Sequence, residues 1–303
     1  MRCDVAVIGG GTGGCAAAFA AARNGLRVIL TEETDWLGGQ LTAQAVPPDE
    51  HPWIEMFGCT QSYRLYRQNV RGYYRRNYPL TGEARAAVNL NPGGGGVSRL
   101  THEPRISVAV IEEMLAPHVS AGRLTVLLRH KPVAADISSD RIRAVAVKDL
   151  HTGAARNIHA SYFLDATEQG DLLPLTKTEF VTGFESKSET GELHAPDQAQ
   201  PANIQAFTFC FAVDHRPGEN HVIDKPAEYA FWRDYVPAMK PAWAGKLLSW
   251  SMTEPISLKE RKVIFEPGEA ARQGFLNLWI YRRIARAKNM LPGIWLHVFR
   301  AFP

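Results

Sequence analysis

The chain has few cysteines, and they are scattered. Cys3, Cys15, Cys59 and Cys210 form no CxxC pair. That excludes a disulfide scaffold, a cysteine-built zinc site and an iron–sulfur cluster held by this chain. HxH and HxxxH pairs are also missing, and no Ser/His/Asp set stands out, so metal-ligand spacing and a nucleophilic triad find no support. The uncharged apolar runs fall far short of the ~18 residues that a membrane span needs. An excess of charge is lacking too: 34 Lys and Arg stand against 31 Asp and Glu, a net charge of +3, which argues against a nucleic-acid partner. No repeat or low-complexity tract is visible. Residues 45–78 are aromatic and basic (Tyr63, Tyr66, Tyr73, Tyr74 and Tyr78 among arginines). They are read as an amphipathic helix covering a sheet or a ligand, rather than as a base-stacking surface. The N-terminus runs directly into a strand-like segment with no signal peptide, so a cytoplasmic location is expected.

What is present begins at residue 3. The run CDVAVI reads as a strand and meets Gly9-Gly10-Gly11-Thr12-Gly13-Gly14. CAAAFAAAR is a strong helix former, stopped at Asn24-Gly25, and LRVILT follows as a second strand ending at Glu32. Gly9, Gly11 and Gly14 satisfy GxGxxG, with Gly13 beside them, and the acid lies close to the expected distance. The steric logic is specific. Gly9 permits the tight turn, Gly11 lets a pyrophosphate approach the backbone, and Gly14 lets helix and strand pack closely. The helix N-terminus offers free N–H groups to phosphate. Glu32 can accept both ribose hydroxyls and disfavours a 2′-phosphate. Five glycines in six residues could also be a mere flexible turn; the flanking strand, helix and acid point to a dinucleotide. A single fingerprint leaves an NAD-dependent dehydrogenase as a weaker alternative.

Further along, Asn91-Pro92-Gly93-Gly94-Gly95-Gly96 is a loop that lets backbone approach a ligand or forms a mobile hairpin. Arg99, His102, Glu103 and Arg105 cluster after it. His102 is the candidate acid or base, with Arg99 stabilising negative charge on a reduced cofactor or a substrate carboxylate. A purely structural histidine is the competing reading. A helix is expected over 106–120, ended or kinked at Pro117 and closed by Gly122. Strands are expected over 124–128 and 141–147, with a turn-rich stretch between them. A short strand, 162–164, leads into Asp165-Ala166-Thr167-Glu168-Gln169-Gly170-Asp171.

These stretches carry a resemblance. VIGGGTGGCAAAFAAARNG, LGGQLT, NPGGGGVSRLTHEPRISVAVIEEML, YFLDATEQGDLLPLT, ETGELHAPDQAQPANIQAFTFCFAV and GFLNLWIYRRI resemble bacterial FAD-dependent oxidoreductases of the two-dinucleotide-fold superfamily. That group is a distant relative of the heterodisulfide reductase A subunit. The resemblance implies an α/β fold with a Rossmann-like, glutathione-reductase-type FAD-binding domain over 1–175, carrying a helical insertion over about 45–122. A strand-rich α+β substrate or cap domain follows over 176–303. The implied cofactor is FAD, held at Gly9, Gly11, Gly13, Gly14, Glu32, Gly38, Gly39 and Thr42, with Ala166 and Asp171 from the DATGxGD segment, where Glu168 replaces a glycine. The backbone of Val133 is implied to face the adenine. The implied function is hydride transfer between a small organic substrate and flavin. Tyr281, Arg282 and Arg283 are placed either near an anionic substrate or on a surface helix. Relatives of this kind are longer, and the apolar ending with Trp295, Phe299 and Phe302 reads as a truncated or frame-shifted terminus. The alternative expectation is therefore a non-catalytic fragment that binds FAD weakly or not at all.

Overall fold

The computed structural model describes residues 1–205, 207–238, 245–254, 257, 259–268 and 273–292. The apolar ending, with Trp295, Phe299 and Phe302, lies outside the described residues.

The N-terminal apolar run becomes β1 (Val5–Ile8), buried along its whole length. It continues through the glycine turn into α1 (Thr12–Arg23), and β2 (Val28–Glu32) follows. Strand and helix fall where the apolar periodicity puts them. After a long excursion come α2 (Gln61–Asn77), α3 (Gly82–Ala86) and α4 (Pro104–Ser120). α2 and α3 are capped by Thr60 and Thr81, whose hydroxyls accept from Tyr63 N and Ala84 N at 3.2 and 3.3 Å. Pro117 neither ends nor breaks α4, which runs one turn further and closes at Gly122 with φ +68°. α4 leads into β3 (Leu124–Leu128).

Next come β4 (His130–Ser138), β5 (Arg141–Asp149), β6 (Ala155–Ile158) and β7 (Tyr162–Asp165). The stretch read as turn-rich is thus largely the strand β4. Its antiparallel pairing with β5, from His130↔Asp149 to Ser138↔Arg141, overrides a weak local preference. Pro132 is tolerated because β4 is an edge strand and carries a register shift between Pro132 and Ala134.

β1, β2, β3 and β7 form one parallel sheet in the order β3-β2-β1-β7, while β4, β5 and β6 form a separate antiparallel sheet. The pleat sorts the two cores. Val5 and Val7 of β1, with Val28 and Leu30 of β2, face α1, α2 and α4. Ala6, Ile8 and Ile29 face the other way, onto Val145, Val147 and Ile158 of the antiparallel sheet. Each buried aliphatic side chain is worth roughly 1.5–3 kcal/mol against exposure, so both faces of β1 are committed. The α/β expectation holds, and β7 returns to β1 in register from Val5↔Tyr162 to Ile8↔Asp165.

Beyond β7 lie the short helices α5 (Leu172–Thr176), α6 (Lys187–Thr190) and α7 (Tyr229–Asp234). β8 (Ser251–Thr253), β9 (Glu260–Ile264) and β10 (Phe275–Asn277) make a small sheet, and α8 (Leu278–Tyr281) follows. Residues 281–291 then return to the helical region. Arg283 Nε and Nη2 donate to the carbonyls of Gly93 and Gly94 at 2.8 and 2.9 Å, and Asn289 Nδ2 donates to those of Asn91 and Pro92.

Candidate functional site

The parallel strands β1, β2 and β7 end on a common edge, where three loops meet. The first is the glycine turn. Gly9 has φ +104°, and a methyl carbon added there would lie 2.2 Å from Ala166 O. One added to Gly14 would lie 1.9 Å from Gly9 O. Only glycine lets strand exit, helix start and the β7 exit approach this closely. The second loop is Gly38-Gly39, both left-handed, with φ +113° and +52°. It is stapled to the first: Gly38 N donates to Gly10 O at 2.8 Å, and Thr12 Oγ1 donates to Gly38 O at 2.9 Å. Thr42, fully buried, packs its methyl and hydroxyl beneath Gly38. The third loop leaves β7. Asp165 organises it by accepting from Thr167 N, Thr167 Oγ1 and Leu172 N at 2.7–3.0 Å.

Glu32 ends β2 and is buried. Its carboxylate accepts from Gly10 N at 2.9 Å and from Thr34 N at 2.8 Å. Each oxygen keeps a further lone pair for a ligand hydroxyl. The cleft between these loops is lined by Gly9, Gly11, Glu32, Glu33, His130, Lys131, Pro132, Ala166, Thr167, Glu168, Gln169 and Asp171. At its rim Lys131 Nζ lies 3.3 Å from Glu33 and 3.5 Å from Asp171. Val133 lies two residues beyond Lys131 along β4 and sits at the register shift without a cross-strand partner.

The structure therefore brings together Gly9, Gly11, Gly14, Glu32, Gly38, Gly39, Thr42 and Ala166, with Asp171 at the rim and Val133 adjoining it. Gly13 opens α1 and has nothing near where a Cβ would be, so its side of the turn is open. Sequence reasoning missed Lys131, His130 and the position of Glu168. A methyl on Gly11 would lie 2.8 Å from Glu168 Oε1, and one on Gly39 would lie 2.6 Å from it. A carboxylate thus stands over the start of α1, where an anion is favoured. The loss of glycine from the DATGxGD pattern was the signal for it.

His102 and Arg99 do not line this cleft. His102 is 3% exposed, and its Nδ1–H donates to Leu100 O at 2.8 Å. Ser107 Oγ donates to its Nε2 at 2.6 Å, and the Tyr66 hydroxyl bonds Ser107 at 2.6 Å. Burial pulls its pKa down to about 4, so the ring is neutral at ordinary pH. Arg99 is exposed on the same loop. The Gly93–Gly96 loop faces the chain's own segment: a methyl on Gly93 would lie 2.2 Å from Arg283 O. Arg283 thus meets backbone carbonyls here.

The family model for FAD dependent oxidoreductases matches residues 4–293. The chain belongs to that family. The chain is also similar to sarcosine oxidase subunit alpha from two Corynebacterium strains. It is 36% identical to that of strain P-1 and 37% to that of strain U-96, each over 108 residues, 33% of this chain and 11% of the relative. The match thus spans about a tenth of those relatives. Among solved structures, a myxobacterial chondrochloren halogenase, a variant of FAD-dependent halogenases, aligns with 19% identity over 55% of this chain and 37% of the other, at a TM-score of 0.36. FAD is the cofactor of that family. The cleft fits a dinucleotide on its own terms: glycines that no Cβ could replace, a buried acid at the β2 end and a helix start already facing a carboxylate. No described helix is long and apolar enough to cross a membrane.

Proposed function

We propose that this oxidoreductase transfers a hydride between a small organic substrate and FAD held in the cleft at the ends of β1, β2 and β7. The observation that carries the reading is the stapling of Gly38-Gly39 onto the Gly9–Gly14 turn, above the buried Glu32. When bound, FAD supplies the electron- and hydride-accepting chemistry, and the protein supplies position and charge. The N–H groups opening α1 at Thr12 and Gly13 would meet the pyrophosphate, and the cradle of Gly9, Gly11, Gly14 and Ala166 leaves it room. Glu32 would accept ribose hydroxyls. Gly38, Gly39 and Thr42 would run beside the ribityl chain, with the Val133 backbone toward the adenine. Lys131 and Asp171 would close the rim.

For the substrate side we propose Arg99 as the exposed cation on the loop after Gly96. His102 acts behind it as a positioning residue, because its two ring nitrogens are engaged by Leu100 and Ser107. We assign 1–175 to the nucleotide-binding domain, with its helical insertion over about 45–122, and 176–303 to the substrate side. Kinship with the heterodisulfide reductase A subunit rests on the same motifs. A cytoplasmic setting agrees with four free cysteines.

The test is a visible spectrum of the purified chain before and after adding FAD, followed by gel filtration. A retained flavin band that Gly11→Val abolishes supports the reading. A chain folded by circular dichroism that stays colourless with FAD overturns it.

A further inference from the structure

The cleft that would take an anionic dinucleotide is itself acidic. Four of its lining residues carry carboxylates: Glu32, Glu33, Glu168 and Asp171. The one lysine or arginine among them is Lys131. The start of α1 adds roughly half a positive charge, which leaves the acids in excess before any phosphate enters. Like charges repel, and more strongly where a ligand displaces the water between them. Lys131 is the second residue of β4, in the antiparallel sheet. Its Nζ reaches two acids that follow strands of the parallel sheet. Glu33, directly after β2, lies at 3.3 Å, and Asp171, in the exit loop of β7, lies at 3.5 Å. The ammonium thus spans the two lips of the cleft, and all three side chains are partly exposed. The bond to Glu33, with Asp171 behind it, raises the Lys131 pKa, so the ammonium stays charged at ordinary pH. Lys148 stands opposite Lys131 in the β4–β5 pair but does not line the cleft.

We propose that Lys131 is a specificity-determining residue: by neutralising Glu33 and Asp171 it lets an acid-lined cleft accept a ligand that carries phosphate charge. It acts through those two carboxylates. A neutral nucleoside does not need it, and each phosphate added to the ligand makes it matter more. This inference rests on the cleft being the FAD site.

The experiment measures FAD binding to the full chain by flavin fluorescence, and its displacement by ADP, AMP and adenosine, at low and high salt. Lys131→Met is expected to weaken FAD and ADP about 3- to 10-fold at low salt, the range for charges that water partly screens. The loss should shrink as salt rises. It should be smaller for AMP than for ADP, and absent for adenosine. Lys131→Arg keeps the charge and should keep the parental affinities. Lys131→Met combined with Glu33→Gln and Asp171→Asn leaves no charge uncancelled at the lips and should regain them. Three results would each overturn the inference while FAD binding stands. The first is an unchanged affinity of Lys131→Met for FAD and ADP. The second is an equal loss for adenosine, which would mark a purely structural role. The third is a triple variant, folded by circular dichroism, that stays as weak as Lys131→Met. If Lys131→Met does not fold, Glu33→Gln with Asp171→Asn decides, with Lys131 left in place. That pair should tighten ADP and leave adenosine unmoved, and no gain for ADP sinks the inference. If the unaltered chain binds neither FAD nor ADP, the site reading itself fails and the inference falls with it.

Discussion

Two single residues set the sharpest expectations. Glu168 holds a negative charge over Gly11 and Gly39, on the path of a pyrophosphate. Its exposure means that water screens most of the repulsion. Glu168→Gln should therefore tighten FAD by only about 2- to 5-fold at low salt, with the gain shrinking as ionic strength rises. A fluorescence titration at two salt concentrations measures both effects, and weaker binding by the variant would rule the repulsion out. His102 gives a pH prediction. Its folded pKa of about 4 lies below the ordinary value for histidine, near 6.5, so the unfolded chain binds the extra proton first. The stability this histidine lends is complete above pH ~6.5 and drains away as pH falls toward ~4, by about 3 kcal/mol in all. Urea midpoints across that window should drop in the parent and flatten in His102→Gln; parallel curves would contradict it. Neither environment was legible in the sequence. The sequence offers only the adjacency of His102 to a glycine loop, and adjacency says nothing about which way a ring packs. The GxGxxG glycines were legible because their requirement is local: the clash that a Cβ at Gly14 would cause involves the oxygen of Gly9, five residues back.

At the scale of elements, α2 shows how one periodic helix can carry two kinds of burial. Tyr66, Val70 and Tyr74 join the core beneath the parallel sheet. Arg67 and Arg71 are buried as well, paired with Glu50 and Glu55 from the preceding loop. The Arg67 side chain is 1% exposed and that of Glu50 is 2% exposed. Removing one partner strands a charge without water, so Arg67→Ala should cost about 3–5 kcal/mol. By contrast, Arg76 and Glu113 lie 3.7 Å apart in solvent, and Arg76→Ala should stay within about 1 kcal/mol. Paired thermal melts of the two variants check this, and equal losses would refute the distinction. The aromatic and basic composition of 45–78 predicts an amphipathic helix with a covering face; the structure forms one over Gln61–Asn77, and 45–60 is irregular. That its arginines point inward was not legible, because their acids sit in an irregular loop with no period to follow. β4 is the opposite case: its composition reads as turns, and pairing with β5 makes it a strand.

For the whole molecule, the returning segment 281–291 is the long-range tie. It joins the end of the described chain to the Gly93–Gly96 loop and to Leu80, which bridges Met290. Gly93 is the contact point, since a Cβ there would lie 2.2 Å from Arg283 O. Gly93→Ala should lower stability by about 1–3 kcal/mol and speed proteolytic cleavage between residues 178 and 280, with FAD affinity little changed. Limited proteolysis beside a flavin titration reads both. Unchanged cleavage would show that the tie does not restrain that region.

The amino-acid sequence by itself determined the strand–turn–helix–strand front of this flavoprotein, its acid at residue 32 and its second glycine pair. These depend on local sterics, apolar period and short spacing, all of which are written along the chain. Only the tertiary structure decided that Gly38-Gly39 closes onto Gly10, that Glu168 overhangs the helix start, and that His102 is sealed in the core. Each of those facts joins residues tens of positions apart, or turns on the direction of one side chain. Close packing around a few fixed strands sets such directions, and no local pattern encodes them.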